Sequence, residues 1–308
     1  GFSNQTYRLA VSDAAGATRF IVIRIARGNS IQWPYTATLE EELPIIRMAQ
    51  AAGIPVPPQL WLETDSSLLG GMFHVMDYVR GDVLGGSLAP YKPVSDALIA
   101  NAAEALACMH RMRWQEWVGR LPARIVPQAG LTITDSLDLI LRRMREYLEA
   151  AWISPSPMIL MLLDWLQRNR LGSAETPVIT HGDLGFHNWL FDGDRPAALL
   201  DWENVALCSP SKDIANVKDC FVPAAQWDHF MRCYLKAGGR APVEGEMRYY
   251  AVLRQVQALI CTASSQEKMF VAVDPGNSEF LELGIGAREY FYQTILKDID
   301  DIIGRDAA

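Results

Sequence analysis

Val178-Ile179-Thr180-His181-Gly182-Asp183-Leu184-Gly185-Phe186-His187-Asn188-Trp189-Leu190-Phe191 runs into Asp192-Gly193-Asp194 and then, past Arg195 and Pro196, into Ala197-Ala198-Leu199-Leu200-Asp201-Trp202-Glu203-Asn204. Short apolar runs here end in polar residues. Asp192-Gly193-Asp194 is hairpin-turn chemistry, so the apolar runs on either side pair as antiparallel strands. Pairing brings Asn188 and Asp201 close together. An amide oxygen and a carboxylate suit Mg²⁺, which keeps several waters and takes the rest of its shell from phosphates. Asp183 lies nearby but outside that pair, free to accept a proton from a hydroxyl. Each residue has a plainer role when taken singly: Asp183 as an Asx turn, Asn188 as a turn former, Asp201 as a cap. The three together, with a hairpin between them, favour phosphate chemistry.

Upstream, Thr6 to Val11 alternates as a strand, Ser12 to Thr18 carries turn residues, and Arg19 to Ala26 is a second strand that is apolar except for Arg24. A lone cation there faces either solvent on an edge strand or an anion on the core side. Gly1 to Gln5 is either a plain lead-in to the hairpin or a loop whose backbone N–H groups cover a phosphate chain. Thr38 to Ala51 predicts a helix with Thr38 as N-cap, and Pro44 fits it only within the first turn. Ile54 to Pro58 is a rigid connector, and Gln59 to Glu63 and Met72 to Val79 predict two further strands. Gly81 and the loop from Gly85 to Pro93 mark a boundary. Beyond it, Ser95 to Arg113, Thr134 to Ala151, Ser156 to Asn169, Pro223 to Ala237, Gly245 to Ser264 and Ser278 to Ile303 predict helices. Tyr249, Tyr250, Phe291 and Tyr292 are read as core, and His110 as a packing or capping residue.

The chain has 308 residues and a net charge of −8, which argues against a general nucleic-acid binder. No apolar run approaches the length of a membrane span, and none resembles a signal peptide. The five cysteines are scattered and form no C-x-x-C pair, so they predict reduced structural thiols and a cytoplasmic setting. The abrupt start on a strand predicts that residues precede Gly1.

His181-Gly182-Asp183-Leu184 with Asn188 and then Asp201 resembles the catalytic loop and metal aspartate of the protein-kinase-like fold. Glycine after the histidine, and Asp201-Trp202-Glu203 in place of Asp-Phe-Gly, are similar to the aminoglycoside phosphotransferase family. That family has a wider set of relatives, among them the kinase-like domain fused to some acyl-CoA dehydrogenases. Gly1-Phe2-Ser3-Asn4-Gln5-Thr6-Tyr7 resembles the loop that opens this last branch. The resemblance implies an α+β, protein-kinase-like bilobal fold: a small antiparallel sheet lobe over 1–80 that binds nucleotide, and a larger, mainly helical lobe over 81–308 that carries the catalytic and substrate residues. It implies Asp183 as the base, Asn188 and Asp201 as Mg²⁺ ligands, and Ser3 and Asn4 in the loop over the phosphates of ATP or GTP. Arg24 stands where the family has its strand lysine, and Glu42 where the helix glutamate pairs with that cation. The backbone of Asp77, Tyr78 and Val79 would hold the adenine edge. Asp213 is scaffolding, and His181 braces the loop.

Departures from the pattern matter. Arginine at 24 brings a planar fork in place of a point charge. Glu203 replaces glycine, so no flipping activation segment is expected. Gly185 removes the cation that many kinases place two residues after the base, and His187 is expected to help stabilise phosphoryl charge. The expected activity is Mg²⁺-dependent phosphoryl transfer from ATP or GTP to a hydroxyl of a small molecule. Alternatives are a nucleotide-binding pseudokinase and, more weakly, a protein kinase. An aminoglycoside acceptor would need clustered carboxylates. The tail offers Asp228, Glu244, Glu246 and Glu267 mixed with Trp227, Phe230, Tyr249, Tyr250 and Phe270. That mixture favours a hydroxylated metabolite or a hydroxyacyl thioester.

Overall fold

The computed structural model describes residues 4–26, 36–85, 94–126, 130–150, 157–221, 224–243 and 245–271, except the side chains of 262 and 264–271. Gly1, Phe2, Ser3, Glu244, Glu267, Phe270 and the helix expected over 278–303 with Phe291 and Tyr292 therefore lie wholly or in their side chains outside the described residues.

Strands β1 (Asn4–Ser12) and β2 (Thr18–Ala26) form a hairpin. The Asp13 carboxylate closes its turn by accepting the Ala15 and Ala17 amides at 2.9 and 3.0 Å, while Gly16 takes the left-handed φ of +83°. β1 begins at Asn4, so Asn4 and Gln5 are ladder residues rather than loop. β3 (Gln59–Glu63) and β4 (Phe73–Asp77) complete an antiparallel sheet of order β1-β2-β4-β3. Helix α1 (Leu39–Ala51) starts at a capping box in which Thr38 and Glu41 bond reciprocally. Pro44 stands in the second turn, contrary to expectation. The carbonyl it leaves unpaired is that of exposed Glu40, where water can answer it.

The remainder is mainly helical. α2 (Asp96–His110) is capped by Ser95, and α3 (Ile133–Ala150) and α4 (Pro157–Arg168) follow. After the central motif come α5 (Ser211–Lys218), α6 (Ala224–Lys236) and α7 (Glu246–Val271). α5 was not expected, because eight residues give too short an amphipathic pattern to read. The core joins the two regions. Ile45, Met48 and Ala49 of α1 pack in one cluster with Leu98, Ile99 and Leu106 of α2 and with Trp189 and Leu199, whereas Ile21, Ile25, Phe73 and Val75 of the sheet form their own. A third cluster sets Tyr249 and Tyr250 of α7 against α3 and α4. All five cysteines are free thiols. Among the described residues, no helix is long and apolar enough to cross a membrane.

Candidate active site

β5 (Val178–Thr180) pairs with β8 (Ala206–Cys208), and inside that frame β6 (Trp189–Asp192) pairs with β7 (Arg195–Leu199). The predicted hairpin therefore forms, with Gly193 at φ +59° in its turn. The hairpin is docked on the incoming chain, since Asp82 and Phe191 exchange backbone bonds at 2.9 Å in both directions. Across its open end, the Leu200 amide donates to the Asn188 carbonyl at 2.9 Å, which sets Asp201 one residue from Asn188's partner. Asp201 itself has φ 64° and ψ 59°, the one left-handed non-glycine among the described residues. That conformation costs about 1–2 kcal/mol. Strain of this kind persists only where the surroundings impose it.

One side chain that meets Asp201 is Arg24. Its guanidinium forks, with Nη1 donating to Glu42 Oε2 at 2.9 Å and Nη2 to Asp201 Oδ1 at 3.1 Å. Of the two readings of this residue, the core-side one holds. Burial works against the Arg24 charge, and Glu42, Asp201 and Glu203 more than offset it, so the guanidinium stays charged. Burial likewise lifts the Glu42 carboxyl to about 7, with Arg24 pulling it back down and Asp201 adding to the rise. Behind the fork, His74 is fully buried and held near 4 by burial, Arg24 and Arg47, so its ring is neutral at pH 7.

Asp183 is reached from three sides. The Asn188 amide Nδ2 donates to the Asp183 carbonyl at 2.8 Å and to its Oδ2 at 3.2 Å, and His187 Nε2 lies 3.7 Å from Oδ1. Burial acts to raise the Asp183 carboxyl, and His187, His181 and Asn188 outweigh it, holding the group below its usual range. Turning Nδ2 toward Asp183 leaves Asn188 Oδ1 for another partner. With the Asp201 carboxylate it makes a pair of hard oxygen donors that fits Mg²⁺. Among the described residues, no three His, Cys, Asp or Glu side chains gather as a metal cage. The fit is thus to an ion that takes most of its ligands from water and phosphate.

The loop holding Asp183 is braced from beneath. Buried Asp213, in the first turn of α5, accepts the His181 amide at 2.8 Å, the Gly182 amide at 2.9 Å and His110 Nε2 at 3.2 Å. The His181 ring donates to the Leu200 carbonyl at 2.8 Å and tilts against Trp202, so it ties the Asp183 loop to the Asp201 turn. Sequence reading anticipated both as supports. It missed that Glu203 is buried among them and contributes charge to Arg24, and it missed Lys212 altogether. Nothing in their immediate sequence signals either. At the expected adenine edge, the Asp77 and Tyr78 amides already donate to Pro58 and Phe20 carbonyls at 2.9 and 3.2 Å. Those two amides are therefore engaged within the sheet. The Arg8 guanidinium lies 5.3 Å from the ring centres of both exposed Tyr78 and Phe20, which themselves meet edge to face at 6.0 Å. Asn4 is at the start of β1, and Ser3 lies outside the described residues.

Of the residues expected to colour the acceptor pocket, Phe230 and Glu246 need correction, whereas Tyr249 and Tyr250 stand in the core as read from the sequence. Phe230, Tyr249 and Tyr250 are buried in the core. Glu246 is buried too, accepting from Ser209 and Ser211. For these four residues composition therefore reports packing and not an acceptor surface, because helical periodicity alone does not say which neighbour a face meets.

Comparison with known proteins follows the same lines. The profile described as "Phosphotransferase enzyme family" (APH) matches residues 1–251. Acyl-CoA dehydrogenase family member 10 of Mus musculus is 28% identical over 226 residues, 70% of this chain and 19% of that protein. The chain spans about a fifth to a quarter, 19–27%, of the length of the curated relatives it matches first. Among solved structures, a candidate aminoglycoside phosphotransferase from Ralstonia eutropha superposes with a TM-score of 0.66 at 21% identity, covering 94% of this chain and 88% of that one. The choline kinase LicA from Streptococcus pneumoniae superposes at 0.63 and 14% identity, covering 98% and 91%. The α+β kinase-like fold is shared with both.

Proposed function

The chain belongs to the phosphotransferase enzyme family (APH), and from that membership we propose that it transfers the terminal phosphoryl group of ATP or GTP to a hydroxyl of a small molecule. Asp183 accepts the hydroxyl proton as the oxygen attacks, and its lowered carboxyl keeps it ionised for that task. Asn188 and Asp201 would hold Mg²⁺, whose chemistry there is to neutralise phosphate oxygens. Arg24 faces the same oxygens from the sheet side, and Glu42 fixes its angle. His187, beside Asp183, adds positive character where phosphoryl charge develops. Ser3, Asn4, and the backbone of Asp77, Tyr78 and Val79 bind the nucleotide. Positioning and fixed charge supply most of the rate.

The observation that carries the reading is the Arg24 fork. It joins residues 18 and 177 positions away in sequence, Glu42 and Asp201, on one guanidinium. The sequence relationship to acyl-CoA dehydrogenase family members supports a hydroxyacyl thioester, or another hydroxylated metabolite, as acceptor. A pseudokinase draws on the same fork, because both terminal nitrogens of Arg24 are engaged by carboxylates. Two measurements separate the readings: thermal shift with ATP or GTP, with and without Mg²⁺, and slow nucleotide hydrolysis. Mg²⁺-dependent stabilisation that Asp201→Ala abolishes, with hydrolysis that Asp183→Ala abolishes, supports the enzyme. Stabilisation with no Asp183-dependent hydrolysis supports the pseudokinase. A transfer screen over aminoglycosides, macrolides, amino alcohols and hydroxyacyl thioesters then identifies the acceptor.

A further inference from the structure

Lys212 carries a buried amine that no hydrogen bond answers among the described residues. It stands in the first turn of α5, beside Asp213, and is 3% exposed. A buried ammonium without an acceptor is strongly unfavourable, and a fold that needed only packing here would do better with an apolar side chain. Its place is specific. Nζ lies 2.6 Å from where a Cβ on Gly182 would stand, directly behind the residue that precedes Asp183. Gly182, at φ +86°, is the residue that lets the loop close over it. Burial holds the Lys212 ammonium below its ordinary range, and Cys208, Asp213 and Asp183 act against that shift without cancelling it.

The charge balance of the cleft gives this cation a use. Asp183, Asp201, Glu42 and Glu203 bring four carboxylates to a site that must admit a polyanionic phosphate chain. Arg24 answers on the sheet side, and beside Asp183 there is the His187 ring, 3.7 Å away. On the side of the base, residue 185 is a glycine and brings no charge of its own. We propose that Lys212 is a positioning residue for phosphoryl transfer: from beneath Gly182 its fixed positive charge offsets the Asp183 carboxylate and holds that loop for the approaching phosphoryl group. It acts through the loop, since Nζ is enclosed and does not reach the cleft. The charge is preorganised, so no solvent need reorganise when the transition state forms. The inference rests on the proposed phosphotransferase reading.

The test is Lys212→Met alongside Lys212→Ala, read by melting temperature and by the kcat and KM of Mg-ATP hydrolysis, with Asp183→Ala as the blank. Both variants lose the charge, but only the alanine leaves a cavity. The expected result is a melting temperature for Lys212→Met equal to or above wild type, a lower one for Lys212→Ala, and the same loss of kcat in both, about tenfold or more. KM for the nucleotide should stay within about twofold, because the cation lies on the base side. A kcat loss that tracks the melting temperature, or unchanged kcat in Lys212→Met, overturns the proposal while leaving the enzyme reading intact. A wild type without Asp183-dependent turnover overturns both.

Discussion

Removing Arg24 should cost far more than a surface ion pair, and its geometry says how much. The Glu42 side chain is fully buried and that of Arg24 is 14% exposed, so the pair is shielded from water. With charge centres about 4 Å apart and an effective dielectric near 20, their attraction is roughly 4 kcal/mol. The second arm counts for less. Asp201 is 38% exposed, and a pair open to solvent on one side is worth only about 0.5 kcal/mol. Arg24→Ala would thus strand a buried carboxylate, with an expected loss of about 3–5 kcal/mol. For a chain of this size that is on the order of a 10 °C fall in melting temperature. The double variant Arg24→Met with Glu42→Leu removes both charges and keeps the volume, so it should recover to within about 1 kcal/mol of wild type. It should nevertheless show no nucleotide-dependent stabilisation. Urea and thermal melts of Arg24→Ala, of the singles Arg24→Met and Glu42→Leu, and of their double variant decide the matter. A loss below about 1 kcal/mol for Arg24→Ala, or a double variant as unstable as the sum of the singles, would refute the claim that this fork is a buried, mutually dependent pair.

Two further outcomes follow from the base of the loop. Gly182→Ala places a Cβ 2.1 Å from the Asn204 carbonyl oxygen at a φ of +86°, so the backbone itself must move. Urea midpoints should fall by the equivalent of about 2 kcal/mol or more, and Asp183-dependent hydrolysis should vanish. Asp213→Asn turns an NH₂ group against one of the donors that the carboxylate satisfied, at a cost of about 3 kcal/mol at pH 7. Burial acts to raise the Asp213 carboxyl, but the His110 bond and the nearby charges of Lys212 and His181 hold it below its ordinary 3.8. A lowered carboxyl stabilises the fold fully above that ordinary value and loses its contribution as pH falls through the folded one. The gap between wild type and Asp213→Asn should therefore be widest near neutrality and narrow at pH 3. A gap unchanged with pH would show that the carboxylate is not the brace.

Local chemistry made much of this protein readable without coordinates. A turn such as Asp192-Gly193-Asp194 between apolar runs specifies a hairpin from neighbours alone, and Thr38 with Glu41 specifies a helix start. Spacing therefore sufficed to find the two lobes, the hairpin, and the trio Asp183, Asn188 and Asp201. Glu42 as the partner of Arg24 came from the family resemblance and not from spacing, and the structure puts them 2.9 Å apart.

What the linear order could not decide was burial and company. Arg24 had two admissible faces, and only the arrival of α1 on one side and the Asp201 turn on the other selected the inner one. Tyr249 and Phe230 were legible as apolar faces, but which neighbour they meet depends on how α6 and α7 cross the rest of the core. Lys212 is the sharpest case. As one letter in Ser211-Lys212-Asp213 it is an ordinary surface-type residue. It becomes a buried cation behind the base only because Asp213 reaches back across 31 and 32 residues to hold the Gly182 and His181 amides, carrying its neighbour under the loop. Sequence order determines which bonds short segments can make. The desolvation that gives a charge its strength is a property of the assembled interior, and tertiary packing alone decides it.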